Sequence, residues 1–166
     1  MEMNFKQKLK NIKAFAFDMD GVLTDGLLLV TEEPEPRRTM DIKDGYAIRR
    51  AADAGYKLIV ISGSSSDAVH KRLNYLGVGE IYSMVMEKEV VLKQFAEANK
   101  LSMQEILYIG DDLPDYDAMK MAGVRACPYD AVPEIREISD YISDNPGGRG
   151  CVRDVIRQVM KLHDKW

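Results

Sequence analysis

Ala14-Phe-Ala-Phe-Asp-Met-Asp-Gly-Val-Leu-Thr-Asp-Gly26 is the stretch on which the reading of this chain turns. Its first four residues are apolar without alternation, as in a strand buried on both faces. The polarity then switches at once to Asp18 and Asp20, a glycine and a turn. Two carboxylates at the end of a buried strand are costly to desolvate unless something compensates them. A hard divalent cation such as Mg²⁺ would compensate them. A reaction that uses one of them as nucleophile would give them a purpose. Taken alone, the Asp-x-Asp is equally compatible with a capped strand end whose acids face water.

Three further segments bear on that choice. Ile106-Leu-Tyr-Ile-Gly110 is a second apolar strand, and it also ends in acids: Asp111, Asp112 and, past a proline, Asp115. In an open parallel sheet ligands bind outside the carboxyl ends of the strands, so two acid clusters at two such ends can meet. A third strand, Lys57–Ile61, ends in Ser62-Gly-Ser-Ser-Ser-Asp67 and a helical pattern. A hydroxyl, a glycine and a helix N-terminus together suit an anion, although an ordinary capped connection reads the same way. Lys88 opens the next helix and supplies the cation that a phosphate site needs.

The remaining chain alternates. Strands are expected at Ala14–Phe17, Lys57–Ile61, Ile81–Met84, Ile106–Ile109, Val124–Ala126 and Tyr141–Ile142. Helices are expected at Tyr46–Ala54, Asp67–Leu76, Lys88–Asn99, Asp115–Ala122, Val132–Ile138 and Val152–His163. Such alternation implies an α/β fold, a parallel sheet with helices on both faces. One segment breaks the pattern. Leu27–Val30 and Arg37–Met40 flank an acidic, proline-bearing turn and predict a projecting β-hairpin over about 27–40. Three leucines on such an arm call for a cover.

These pieces, in this order, resemble the haloacid dehalogenase superfamily of phosphohydrolases. The motifs are Asp18-Met-Asp20, Ser62, Lys88 and Gly110-Asp-Asp-Leu-Pro-Asp115. Within it the chain is similar to the 3-deoxy-D-manno-octulosonate 8-phosphate phosphatase family, through Asp18–Gly26, Lys43-Asp-Gly-Tyr-Ala-Ile-Arg49 and Gly147-Gly-Arg-Gly-Cys-Val-Arg-Asp154. The resemblance implies a Rossmann-like sheet and a Mg²⁺-dependent phosphatase acting on a small phosphorylated sugar acid. A nine-carbon analogue, 2-keto-3-deoxynononate 9-phosphate, is the alternative substrate, and a non-catalytic oligomerisation module the alternative of another class.

The segments between Asp20 and Ser62 and between Ser62 and Lys88 are used up by the hairpin, two helices and two strands. Neither has room for the separate cap domain that many haloacid dehalogenase relatives carry. An uncapped site stays open to water, so a neighbouring subunit is the expected lid. The resembled family is tetrameric, and this implies a homotetramer built partly by the hairpin.

Residue chemistry and resemblance together assign roles. Asp18 is the expected nucleophile and Asp20 the general acid and base. Mg²⁺ is expected on Asp18, Asp20 (through its main-chain oxygen) and Asp111, with Asp112 and Asp115 orienting those ligands. Ser62, Gly63 and Lys88 are expected on the transferring phosphoryl group. As substrate contacts the resemblance implies Asp20, Asp41, Ile42, Lys43, Asp44, Gly45, Arg49, Ser62, Gly63, Arg72, Lys88 and Arg149. Arg49 and Arg72 read equally well as surface helix charge, and Arg149 as an exposed arginine at a helix start. Close relatives often carry an arginine directly after the motif glycine; this chain has Ser64 there.

Composition agrees with a small soluble enzyme. One domain over 1–166, with a tail and helix at about 147–166, is the expectation from 166 residues. With 46% hydrophobic and 30% charged residues, disorder is not indicated. A net charge of −4 argues against a nucleic-acid partner. Met1–Lys13 is polar without a long apolar core, so no signal peptide is expected there, and no apolar run approaches a membrane span. Cys127 and Cys151 share no metal-ligand spacing, so free thiols and a cytoplasmic location are expected.

Overall fold

A computed structural model describes residues 5–166. Met1–Asn4, the start of the polar N-terminal stretch, lie outside the described residues. Six strands form one all-parallel sheet in the order β3-β2-β1-β4-β5-β6. They are β1 (Ala14–Phe17), β2 (Lys57–Ile61), β3 (Glu80–Tyr82), β4 (Ile106–Ile109), β5 (Val124–Cys127) and β6 (Tyr141–Ile142). The helices are α1 (Phe5–Leu9), α2 (Ile42–Asp53), α3 (Asp67–Tyr75), α4 (Lys88–Ala98), α5 (Tyr116–Met121), α6 (Pro133–Ile138) and α7 (Cys151–Leu162).

β1 lies at the centre of the sheet, between β2 and β4, and all four of its residues are buried. Its period of two divides them. Phe15 and Phe17 enter a core with Leu58, Val60, Ile109 and the apolar sides of α2, α3 and α7. Ala14 and Ala16 face the other core, with Ile59, Ile61, Leu92, Phe95 and Ile135. Burying each phenylalanine stabilises the fold by roughly 2–3 kcal/mol. The register aligns Phe17 with Val60 and with Ile109, so β1 and β4 end level and β2 runs one residue further, to Ile61. The residues after those ends therefore share one rim. The strand order reverses between β1 and β4, the switch point at which open α/β sheets bind ligands.

Several expected boundaries shift, for local reasons. Helix α2 begins at Ile42 rather than Tyr46, because the Asp41 carboxylate accepts from the Lys43 N–H at 2.6 Å and caps it early. β3 covers Glu80–Tyr82 rather than Ile81–Met84, because Met84 is left-handed, with φ of 56°, and ends the strand. The short helix α1 was not expected; its Phe5 stacks on Tyr141 with ring centroids 5.2 Å apart. The hairpin is present but forms no regular ladder. Leu29 and Arg37 exchange two backbone bonds of 3.1 Å, and Thr24 and Met40 form one more antiparallel bridge. Pro34 and Pro36 cannot donate to a ladder, which limits pairing near the turn. Leu27–Val30 are exposed.

Cys127 and Cys151 are both free and buried, and burial pushes both thiols up. Among the described residues no helix is long and apolar enough to cross a membrane.

Candidate active site

The chain leaves β1 through an irregular loop, Met19–Leu23, in which Asp20 is extended and Gly21 has φ of 95°. A side chain at Gly21 would collide with the Asp111 carboxylate, so a glycine is required there on both counts. The loop thus brings Asp18 and Asp20 beside the acids that follow β4. The site-facing cavity has a volume of about 310 Å³. Asp18, Asp20, Ser62, Gly63, Lys88 and Asp111 are among its lining residues, with Asp112 and Asp115 beside them. A larger groove of about 730 Å³ lies at the opposite end of the sheet, against Lys13, Lys57 and Glu105. It has one carboxylate and none of the motif residues, so size does not mark the chemistry.

At the centre stands a buried ion-pair network. The Lys88 ammonium donates to Asp18 Oδ1 at 2.7 Å and to Asp115 Oδ1 at 2.8 Å. Asp115 also accepts from the Tyr108 hydroxyl at 2.9 Å and from the Asp111 and Asp112 N–H groups at 3.1 and 3.4 Å. Its oxygens are thereby committed, and it acts as a brace. Tyr108 and Asp115 are wholly buried. The signal for Tyr108 in the sequence is a hydroxyl inside an otherwise aliphatic strand, which must find a partner.

Carboxylate oxygens of Asp18, Asp111 and Asp115 lie within 4.8 Å of one another, and Lys88 is the one ammonium among them. The excess negative charge shows in the acids. Burial and the Asp115 charge push Asp18 up to about 6, although Lys88 pulls it down. Burial and the charges of Asp18 and Asp115 push Asp111 up to about 9. Asp111 Oδ1 is buried without a hydrogen-bond partner. An unpartnered buried oxygen among three carboxylates is what a divalent cation fits: it supplies both the missing partner and the missing charge. Since Asp115 is already satisfied, Asp18 and Asp111 are the side chains free to hold it.

Asp20 is handled differently. Burial opposes its ionisation, but bonds from Arg38 and Ser64, the Arg38 charge and a bond from Thr24 overcome this and lower its pKa. Arg38, on the returning arm of the hairpin, donates to Oδ1 from Nε at 2.7 Å and to Oδ2 from Nη2 at 3.2 Å. The Ser64 hydroxyl donates to Oδ2 at 2.6 Å. Sequence reasoning did not find Arg38, since no periodicity marks a loop arginine. The position after the motif glycine thus carries a hydroxyl, and the guanidinium comes from elsewhere in the chain.

Ser62 is buried, and its Oγ accepts the Ser64 N–H at 3.1 Å. Asp112 is exposed and caps the turn at Leu113–Asp115 by accepting from the Leu113 N–H at 2.7 Å.

The expected sugar contacts are only partly brought together. Asp44 is a correction. It is buried and accepts from the Gly150 and Arg153 N–H groups at 3.0 and 2.7 Å, capping the N-terminus of α7 instead of facing the cavity. Gly45 is also buried, and its space is taken by Arg72 Nη2, 3.0 Å from where a Cβ would stand. Arg49 points away too: it pairs with Asp53 at 3.1 Å and donates to the Tyr75 carbonyl at 3.0 Å. Asp41 caps α2, while Ile42 and Lys43 are exposed at its first turn. Arg72 lines a second cavity, of about 520 Å³, beneath the hairpin together with Arg38, Met40 and Ser66. Arg149 is exposed, 3.8 Å from Asp25. The tail that carries it packs on the loop Met19–Leu23, with the Gly148 N–H donating to the Val22 carbonyl at 2.9 Å.

This combination of sheet order, acid loops and buried lysine defines a haloacid dehalogenase-like hydrolase, and residues 75–154 match the model of that family. The chain is 32% identical to the 3-deoxy-D-manno-octulosonate 8-phosphate phosphatase KdsC of Salmonella typhi, over 95% of this chain and 84% of the relative. It belongs to the 3-deoxy-D-manno-octulosonate 8-phosphate phosphatase family. Solved structures agree. The enzyme of that name from Moraxella catarrhalis, in complex with magnesium ion, phosphate ion and KDO, superimposes with a TM-score of 0.91. Its sequence is 33% identical, with 95% of this chain and 90% of that one covered. The cobalt-bound deoxy-D-mannose-octulosonate 8-phosphate phosphatase of Haemophilus influenzae gives a TM-score of 0.92 at 30% identity, covering 96% and 93% of the two chains.

Proposed function

We propose that this protein is a Mg²⁺-dependent phosphatase that hydrolyses 3-deoxy-D-manno-octulosonate 8-phosphate to the free sugar acid and phosphate. Family membership supports the substrate. The observation that carries the chemistry is the Asp18–Lys88–Asp115 network beside the unpartnered Asp111 oxygen. Asp18, Asp111 and the main-chain oxygen of Asp20 would hold Mg²⁺, which when bound neutralises the phosphate and the attacking carboxylate.

The chain's own residues then act as follows. Asp18 attacks phosphorus, the bond from phosphorus to the sugar oxygen breaks, and Asp20, which enters this step in its protonated form, gives that oxygen its proton. Asp20 next takes a proton from water as the water attacks the aspartyl-phosphate, and the bond to Asp18 breaks to release phosphate. Lys88 steadies Asp18 from one side, and Ser62 with the Gly63 N–H receives the phosphoryl oxygens. Asp112 and Asp115 hold the loop that presents Asp111. Ile42, Lys43, Arg72 and Arg149 are left as candidate contacts with the sugar. We read the chain as one cytoplasmic domain acting as a homotetramer, because the exposed hairpin leucines and the open site both call for a neighbour.

The deciding experiment is a panel of phosphorylated sugar acids with and without Mg²⁺, run on wild type and Asp18→Asn. Eight-carbon turnover that needs Mg²⁺ and drops at least about 10³-fold in Asp18→Asn is expected. Better turnover of the nine-carbon acid would reassign the substrate, and wild-type turnover in Asp18→Asn would remove the nucleophile.

A further inference from the structure

We propose that Arg38 is the positioning residue for Asp20, so that the hairpin carries part of the catalytic geometry; this rests on the phosphatase reading. Three segments converge on the Asp20 carboxylate. Arg38 grips it with two nitrogens, Ser64 donates to it from the β2 loop, and the buried Thr24 hydroxyl donates from its own loop at 3.3 Å. The two hydroxyls can each rotate. Only the planar guanidinium fork fixes the plane of the carboxylate. The Arg38 side chain is 3% exposed, although it sits on a projecting arm. Among the described residues Asp20 has no other ion pair, and Lys88 is committed to Asp18 and Asp115.

The place of Arg38 adds to this. Its partners Asp20 and Ser64 line the site cavity, while Arg38 itself lines the cavity under the hairpin. It is the partition between the two. Both Asp20 oxygens are held. Oδ1 accepts from Arg38 Nε at 2.7 Å and from Thr24 at 3.3 Å, and Oδ2 accepts from Ser64 at 2.6 Å and from Arg38 Nη2 at 3.2 Å. Arg38 is the one donor that spans both oxygens. Arg38 acts through Asp20 and touches no reacting atom.

The test compares kcat/KM for the sugar phosphate with that for an aryl phosphate, in wild type, Arg38→Met and Arg38→Lys. An alkoxide leaving group needs an aimed proton donor, whereas an aryl oxide needs one far less. In Arg38→Met the sugar-to-aryl ratio is expected to fall at least about tenfold, with partial recovery in Arg38→Lys, which restores charge without the fork. On an Asp20→Asn background, Arg38→Met should cost no more than about twofold further, because its route is already cut. Equal loss on both substrates, or a full additive loss on the Asp20→Asn background, would overturn the proposal. If Arg38→Met does not fold, Arg38→Lys and Ser64→Ala must each lower the ratio, and an unchanged ratio in both overturns it. Wild type that cleaves neither ester would overturn the phosphatase reading itself.

Discussion

Asp111 and Asp115 show how one residue type takes two jobs four positions apart. Asp115 is saturated by an ammonium, a phenol and two N–H groups, while Asp111 keeps a buried oxygen with no partner. The difference has a consequence for pH. Without metal, Asp111 is held up at about 9 and Asp18 at about 6, both above the ordinary value of 3.8. At these two carboxyls the folded chain then binds more protons than the unfolded one from roughly pH 4 to roughly pH 9, so their contribution to metal-free stability falls as pH rises through that window. Mg²⁺ must displace those protons, so its stabilising effect should grow with pH. Melting curves with and without Mg²⁺ at about pH 6 and about pH 9 check this. The Mg²⁺-induced shift should be larger at the higher pH, and equal shifts would contradict the assignment of Asp18 and Asp111 as ligands. The acids themselves were legible, because carboxylates that end apolar strands stand out. Arg38 was not, because its contact with Asp20 depends on how the hairpin folds back, which no local pattern encodes.

At the scale of elements, α2 and α7 are tied through Asp44. Its buried carboxylate takes two N–H groups from the start of α7, and α7 in turn carries Val152, Val155, Ile156 and Val159 into the core. Asp44→Ala would leave those donors buried and unpaired, at a cost of about 2 kcal/mol. Denaturant melts should show that loss, with KM for the sugar phosphate little altered. A normal melt with a raised KM would return Asp44 to the substrate. The strand–helix alternation was readable because short, wholly apolar runs stand apart from longer segments with an apolar residue every three or four positions. The start of α2 was not, since Lys43-Asp-Gly45 looks like a loop until Arg72 is seen occupying the space beside the glycine.

For the whole molecule the hairpin is the feature that bears on assembly. Leu27–Val30 are exposed with 70%, 47%, 60% and 79% of their surfaces accessible, and Met84 and Met86 are exposed too. Among the described residues nothing covers the arm, so Leu28→Glu and Val30→Glu should leave the fold intact yet disperse a tetramer. Light scattering should show smaller species, and KM for the sugar phosphate should rise at least about tenfold, or ~1.4 kcal/mol. A fully active wild-type monomer at assay concentration would refute the assembly. The parallel sheet followed from the order of motifs, but which copies meet around the hairpin is a property of surfaces, and surfaces leave little trace in one sequence.

The two buried cysteines offer an experimental opening. Thiolates are the reactive form, and burial disfavours them at both Cys127 and Cys151. A single cysteine introduced at an exposed hairpin position such as Glu32 would then be the preferred target of a maleimide dye, with the native thiols left in place. Fluorescence from that one label would report whether the arm becomes covered as protein concentration rises and whether it responds to added sugar phosphate, in a protein otherwise unmodified.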